Sequence, residues 1–181
     1  MSQTTIEKHS SAKSSGLMTY EEFLAADFDN PHVEWVNGRV VEMAPVSDEH
    51  MDLGGLLEAV LRAFVEEKKL GVIRHDPFQM KLGGDLPGRA PDILFLATRH
   101  KSRLKKTHVK GAADMVVEII SPDGRGRDRG EKFYEYEEGG VPEYWLIDPE
   151  RKQAEFYLRN KRGNYEPAPL DAKGIFHSCH P

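Results

Sequence analysis

Two carboxylates stand where the surrounding sequence reads as buried strand. Glu118 lies inside Met115-Val116-Val117-Glu118-Ile119-Ile120, a run rich in β-branched residues that Ser121-Pro122 stops. That pattern is expected of a central strand covered on both faces. A carboxylate in such a place is costly unless it is paired or holds a cation. Asp92 stands at the start of a second apolar run, Pro91-Asp92-Ile93-Leu94-Phe95-Leu96. If the two strands pair, both carboxylates project to the same end of the sheet. They would then form an oxygen-rich site suited to a hard divalent ion, Mg²⁺ or Mn²⁺. Such an ion polarises a phosphodiester and lowers the pKa of a bound water. The competing reading has each acid pairing with an arginine or capping a turn. It suits Asp92 better than Glu118, because Pro-Asp is a common turn dipeptide.

A third element follows the Glu118 strand. Asp128, Lys132 and Tyr136 recur at i, i+4 and i+8 and so share one helix face, with Phe133 beside Lys132. A lysine aimed at a carboxylate–metal site orients the attacking water or stabilises developing charge. The alternative is an ordinary Asp128–Lys132 surface pair worth a few tenths of about 1 kcal/mol. Tyr136 reads as packing or as a hydrogen bond to the site rather than as a nucleophile. His50, in the first turn of a long helix, reads as a surface or capping residue or as part of a site.

The elements that must position these residues can be taken in order. Residues 1 to 16 are rich in Ser, Thr and Lys and are expected to form a disordered tail; 17 to 181 read as a single domain. Thr19-Tyr20-Glu21-Glu22 is a capping box that opens a short helix ending near Asp27. His32 to Met43 reads as a hairpin around Asn37-Gly38, with Glu34 on its first strand. Ser47 caps a long helix running to about Lys69 and stopping at Gly71. Leu53, Leu56, Leu57, Val60, Leu61, Phe64 and Val65 give that helix one buried face. Val72 to Leu82 reads as a strand interrupted at Pro77, and Gly83 to Gly88 as a turn. The Asp92 and Glu118 strands come next, then a helix from about Arg127 to Glu138 closed by Gly139-Gly140. Strands are expected at Val141 to Ile147, Gln153 to Leu158 and from Tyr165. This order predicts an α/β fold with a mixed β-sheet flanked by helices.

Bulk properties exclude several function classes. A chain of 181 residues with 39% hydrophobic and 30% charged residues suits one soluble domain with a complete core. No apolar run approaches the ~20 residues that span a bilayer, and the N-terminus lacks an apolar signal region, so a cytoplasmic protein without membrane contact is expected. The single cysteine, Cys179, rules out a disulfide framework and a cysteine-built zinc site. A net charge of −5 argues against nonspecific coating of nucleic acid, but not against a nuclease with a locally acidic metal site. Arg99, Lys101, Arg103, Lys105, Lys106 and Lys110 form a basic stretch without an acid, and Arg125, Arg127 and Arg129 form a second. Each reads either as a solvated loop or as a phosphate contact beside an active site.

The ordered set Glu34-x-x-Asn37-Gly38, Pro91-Asp92, Val117-Glu118-Ile119-Ile120-Ser121-Pro122, Asp128-x-x-x-Lys132-x-x-x-Tyr136 and Gly140-Val141-Pro142-Glu143-Tyr144-Trp145-Leu146-Ile147-Asp148-Pro149 resembles the Uma-two (Uma2) family. This is a bacterial family of restriction endonucleases within the PD-(D/E)XK nuclease superfamily, abundant in cyanobacteria. The resemblance spans about residues 18 to 167. It implies a restriction-endonuclease-like fold and a Mg²⁺- or Mn²⁺-dependent DNA endonuclease. It also implies Asp92 and Glu118 as metal ligands, Glu34 as a further acid of the site, and Lys132 as the catalytic amine. The superfamily pattern places a lysine two residues after the second acid, where this chain has Ile120, so Lys132 must supply the amine from the following helix. A homodimer is a family-level expectation. The alternative is a noncatalytic DNA- or protein-binding member of the same fold. The sugar of the substrate, DNA or RNA, is not legible.

Overall fold

The computed structural model describes residues 16–121 and 125–178, with the side chains of residues 125 and 127 excepted. Residues 1–15 of the expected tail, the Pro122 stop and Cys179 lie outside the described residues. Among the described residues, no helix is long and apolar enough to cross a membrane.

The chain opens with helix α1 (Tyr20–Ala25), whose Thr19 cap and Glu22 exchange the hydrogen bonds of a capping box. The hairpin of β1 (Val33–Val36) and β2 (Arg39–Glu42) turns on Asn37 and Gly38, with φ of 50° and 79°. Two successive positive φ values are what a type I′ turn requires, and Asn-Gly tolerates them. Tyr20 and Phe23 of α1 pack on Val33 of β1 as a small separate core. Helix α2 (Asp48–Glu67) follows, capped by the Ser47 side chain.

The expected single sheet is two mixed sheets. Val72 to Leu82 is not one interrupted strand: β3 (Gly71–His75) and β4 (Gln79–Lys81) are separated by a turn at a cis Asp76-Pro77 bond and enter different sheets. Proline has no N–H to continue a ladder, so the chain changes sheets there. The five-stranded sheet has the order β2-β1-β5-β4-β7, with β5 (Gly88–Arg89) and β7 (His108–Lys110). The six-stranded sheet has the order β11-β10-β9-β8-β6-β3, with β6 (Ile93–Ala97), β8 (Met115–Ile119), β9 (Glu143–Asp148), β10 (Gln153–Arg159) and β11 (Tyr165–Pro167). Its β8–β9 pair is parallel and its other pairs are antiparallel.

Alternation along β8 divides the core. Met115 and Val117 pack with Val65, Ile73 and Phe95, under Leu57 and Leu61 of α2. Val116 and Ile120 pack on the other side with Leu94, Tyr136, Tyr144 and Leu146. A period of two therefore turns Glu118 to the same side as Val116 and Ile120.

Two helices depart from expectation. The helix after β8 is broken at Gly130 into α3 (Arg125–Arg129) and α4 (Glu131–Gly139), and Gly140 closes α4 in the left-handed region at φ 84°. The apolar face of α2 is only half covered. Leu57, Leu61 and Val65 meet the sheet, whereas Leu56, Val60 and Phe64 are 62%, 59% and 49% exposed. The apolar arc is wider than the single sheet face on which the helix rests.

Candidate active site

Pairing of β6 with β8 is antiparallel with Ile93 opposite Val117, which sets Asp92 across from Glu118. The two carboxylates therefore meet at one end of the six-stranded sheet. Asp92 is the more open of the two, with 22% of its side chain exposed. Its Oδ2 accepts the backbone N–H of Ile119 at 2.6 Å, and its Oδ1 lies 3.2 Å from His50 Nε2.

Glu118 is 2% exposed. Lys132 Nζ donates to its Oε2 at 2.8 Å, and the Tyr136 hydroxyl donates to its Oε1 at 2.5 Å. Both partners come from α4, which lies over the face of β8 that carries Val116, Glu118 and Ile120. Lys132 is itself 5% exposed, so it is not one end of a surface pair. Its ammonium also lies 3.6 Å from Glu34 Oε1 and 3.5 Å from Asp128 Oδ1. The i, i+4 relation of Asp128 and Lys132 survives the break at Gly130.

The five-stranded sheet contributes Glu34. Trp35 of β1 stands opposite Gly88 of β5, which sets Arg89 across from Glu34. Arg89 Nη1 donates to Glu34 Oε2 at 2.7 Å, and its Nε and Nη2 hold Glu135 of α4, each at 2.7 Å. The Ala90 N–H reaches Glu34 Oε1 at 3.3 Å. Arg89 thus ties the first sheet to the helix that carries Lys132. Only 1% of it is exposed, and the sequence reading did not single it out. The available signal was an arginine inside the otherwise nonbasic Gly88-Arg89-Ala90-Pro91, three residues before Asp92.

Charge is unevenly distributed over the group. Burial pushes the Glu118 carboxyl up to about 8; the Lys132 ammonium opposes this, while Asp92 and Asp128 reinforce it. Burial disfavours the Lys132 ammonium, but Glu118, Glu34, Asp128 and Asp92 outweigh it and hold that pKa well above the ordinary value. Burial also acts on Glu34, and there the Lys132 and Arg89 charges win, holding its carboxyl below the usual range. For His50, burial is outweighed by the Asp92 hydrogen bond and charge, so its pKa is raised. His50 is 8% exposed, and its Nδ1 is buried without a hydrogen bond among the described residues.

A cleft of about 980 Å³ opens over this group, with Glu34, Asp92, Glu118, Asp128 and Lys132 in its lining and His50 on its wall. The donor chemistry fits a hard cation, because carboxylate oxygens outnumber the ammonium among these residues. Asp92 and Glu118 are the pair that could hold one. Among the described residues, no group of three or more His, Cys, Asp or Glu side chains stands assembled as a ligand set.

The basic stretch begins at the other end of β6. Asp92 immediately precedes β6, whereas the 3-10 helix Thr98–Arg103 immediately follows it, so five strand residues, about 17 Å, separate them. Arg99 and His100 hold the buried Asp114 at 3.0 and 2.8 Å, and Arg103 donates to the Ala112 carbonyl. Lys101, Lys105, Lys106 and Lys110 are exposed, and Lys110 ends β7 in the five-stranded sheet that also carries Glu34. Arg99, His100 and Arg103 therefore take structural partners, and the lysines of the stretch face solvent. Of the second cluster, Arg129 pairs with Glu155 at 2.6 Å, and the side chains of Arg125 and Arg127 lie outside the description.

Comparison with known proteins bears on the whole chain. A crystal structure of a putative nuclease belonging to DUF820 from Anabaena variabilis ATCC 29413 superposes with a TM-score of 0.68 at 20% identity, covering 86% of this chain and 87% of that one. The likeness shows a shared fold. No curated protein matches the sequence. Residues 20–178 match the Uma2 family, described as "Putative restriction endonuclease", and the chain belongs to that family.

Proposed function

We propose that the protein is a Mg²⁺- or Mn²⁺-dependent DNA endonuclease that hydrolyses phosphodiester bonds in this cleft. One observation carries the reading: Glu34, Glu118 and Asp128, acids from three separate segments, lie 2.8–3.6 Å from the buried ammonium of Lys132, and Asp92 from a fourth lines the same cleft. Nothing in packing a hydrophobic core calls for such a group, since every member is costly to bury. Family membership supports a nuclease.

Asp92 and Glu118 would hold the ion. When bound, it supplies Lewis acidity and a water of lowered pKa. Lys132, buried and protonated, is directed to the oxygens that gain charge at phosphorus, or orients the water that attacks there. This is the amine that Ile120 cannot provide. Ile120 packs in the core beside Tyr136 and Tyr144, so the amine enters from the helix that covers that face. Glu34, fixed by Arg89, holds Lys132 in place, and Tyr136 orients Glu118 through its hydroxyl.

The test incubates plasmid with Mg²⁺ or Mn²⁺ and the protein, alongside Glu118→Ala and the isosteric Glu118→Gln. Metal-dependent cleavage by the wild type that both variants lose supports the assignment. Equal cleavage by all three discards it. A parallel arm with single-stranded RNA decides the sugar.

A second reading, a noncatalytic DNA- or protein-binding member, draws on one observation. Both oxygens of Glu118 already accept hydrogen bonds, from Lys132 and Tyr136. Calorimetric titration with Mn²⁺ separates the readings: heat of binding that disappears in Asp92→Ala and Glu118→Ala favours the nuclease, and its absence in the wild type favours the alternative.

A further inference from the structure

We propose that His50 is a positioning residue of the cleft: its Nε2–H fixes the orientation in which Asp92 takes a divalent ion. The inference rests on the nuclease reading above and adds a residue to it. From the sequence, His50 reads as a surface or capping residue or as part of a site. Its backbone does serve the helix cap, since its N–H donates to Ser47 Oγ at 3.2 Å. Its ring turns inward instead. The residue is 8% exposed, and Nε2 lies 3.2 Å from Asp92 Oδ1.

The surroundings decide which nitrogen carries the proton. Nδ1 is buried and has no hydrogen-bond partner among the described residues. In a neutral ring, a proton on Nδ1 would be a buried donor without an acceptor, and the Nε2 lone pair would face the lone pairs of a carboxylate. Both costs vanish with the proton on Nε2. A charged ring carries a proton on Nε2 as well. His50 therefore donates to Asp92 in either charge state, and the role does not depend on which one is populated.

Asp92 is thereby held at both oxygens: the Ile119 N–H donates to Oδ2 at 2.6 Å, and His50 donates to Oδ1. A carboxylate with one donor can turn about its Cβ–Cγ bond; one with a donor on each oxygen is fixed. Glu118 is gripped in the same way, by Lys132 on one oxygen and Tyr136 on the other. The two acids that would share an ion are thus both preset by donors behind them. The seating of α2 makes this possible. Gly54, four residues on from His50 and so on the same face, lies against β8: a Cβ there would stand 3.4 Å from Ile119 Cδ1. With no side chain between helix and strand at that turn, His50 reaches Asp92.

Two variants separate a donor from a space-filler. His50→Leu fills the site without a donor. His50→Gln keeps an amide Nε2–H at the same number of bonds from Cβ. Calorimetric titration of the full-length chain with Mn²⁺ should show binding weakened about 10–100-fold in His50→Leu and largely recovered in His50→Gln. Half-maximal plasmid cleavage should need correspondingly more Mn²⁺ in His50→Leu. Circular dichroism checks that both variants keep the wild-type fold. One measurement needs neither metal nor variant: the imidazole nitrogen NMR shifts of the wild type at about pH 9, well above the ordinary histidine pKa, should place the His50 proton on Nε2. A proton on Nδ1, wild-type Mn²⁺ affinity in folded His50→Leu, or a His50→Gln as weak as His50→Leu each overturns the role of His50 and leaves the nuclease reading standing. Absence of Mn²⁺ binding by the wild type overturns the nuclease reading, and this role with it.

Discussion

Replacing Arg89 with methionine removes a buried charge while keeping most of the stem's volume. Arg89 is 1% exposed and holds Glu34, which is 0% exposed, at 2.7 Å. In Arg89→Met, Glu34 retains the Ala90 N–H at 3.3 Å and the Lys132 ammonium at 3.6 Å. Deleting one partner of a buried ion pair costs about 3–5 kcal/mol. Lys132 remains to offset part of it, so the lower end, about 3 kcal/mol, is expected here. The Glu135 side chain is 19% exposed and can rehydrate, which adds less than about 1 kcal/mol. The sum is about 3–4 kcal/mol, or a fall in Tm of roughly 6–16 °C for a chain of this size. Urea unfolding followed by tryptophan fluorescence measures it, with Trp35 adjacent to Glu34. The loss must also depend on pH. In the wild type the Glu34 pKa is depressed, so its contribution is present above the unfolded value and is lost as pH falls through the folded one. Without Arg89 the buried carboxyl is pushed upward, and protonation relieves the cost. The deficit should therefore be larger at about pH 8 than at about pH 5. Adding Glu34→Gln to Arg89→Met should recover about half of it. A loss below about 1 kcal/mol, or one that does not change with pH, would refute the role given to this pair.

Three further outcomes are expected. Lys132→Met should lower plasmid cleavage by about 10²–10³-fold, and calorimetry should show that Mn²⁺ binding through Asp92 and Glu118 persists. His50→Gln should lose stability chiefly at low pH: the His50 pKa is raised, so its contribution is present below the unfolded value of about 6.5 and fades as pH rises through the folded value, which urea midpoints across pH would track. Gly71→Ala should cost about 1–3 kcal/mol in the same assay, because the added Cβ would lie 2.1 Å from the Leu96 carbonyl oxygen and 2.9 Å from Ala97 Cα, both backbone atoms that cannot swing aside.

Much of the fold was legible because its signals are local. The Thr19 capping box, the Asn37-Gly38 turn and the Ser47 cap each depend on residues within a few positions, and all three form as read. The Asp92 and Glu118 strands were legible from their apolar runs. What escaped was decided at a distance. The turn at Pro77 was visible as an interruption, but not the fact that the segments on either side enter different sheets. The break at Gly130 lay inside a convincing helical period. The covered width of α2 depended on how much sheet was available beneath it.

For the candidate site the division is similar. An acid inside an apolar strand is a property of sequence, because the cost of burying it follows from its neighbours alone. That made Glu118 and Asp92 conspicuous, and the spacing of Asp128, Lys132 and Tyr136 supplied a shared face. Only the tertiary structure decided whether that face was solvent or site. It laid α4 over the Glu118 side of β8 and buried Lys132 among the carboxylates of Glu34, Glu118 and Asp128. It also recruited Arg89 and His50, and carried Arg99, Lys101 and Arg103 to the far end of β6. The physical reason is that burial and pairing are set by residues far apart in the chain: the sequence by itself determined which groups would be expensive to bury, and the packing of two sheets and a helix determined which partners they meet.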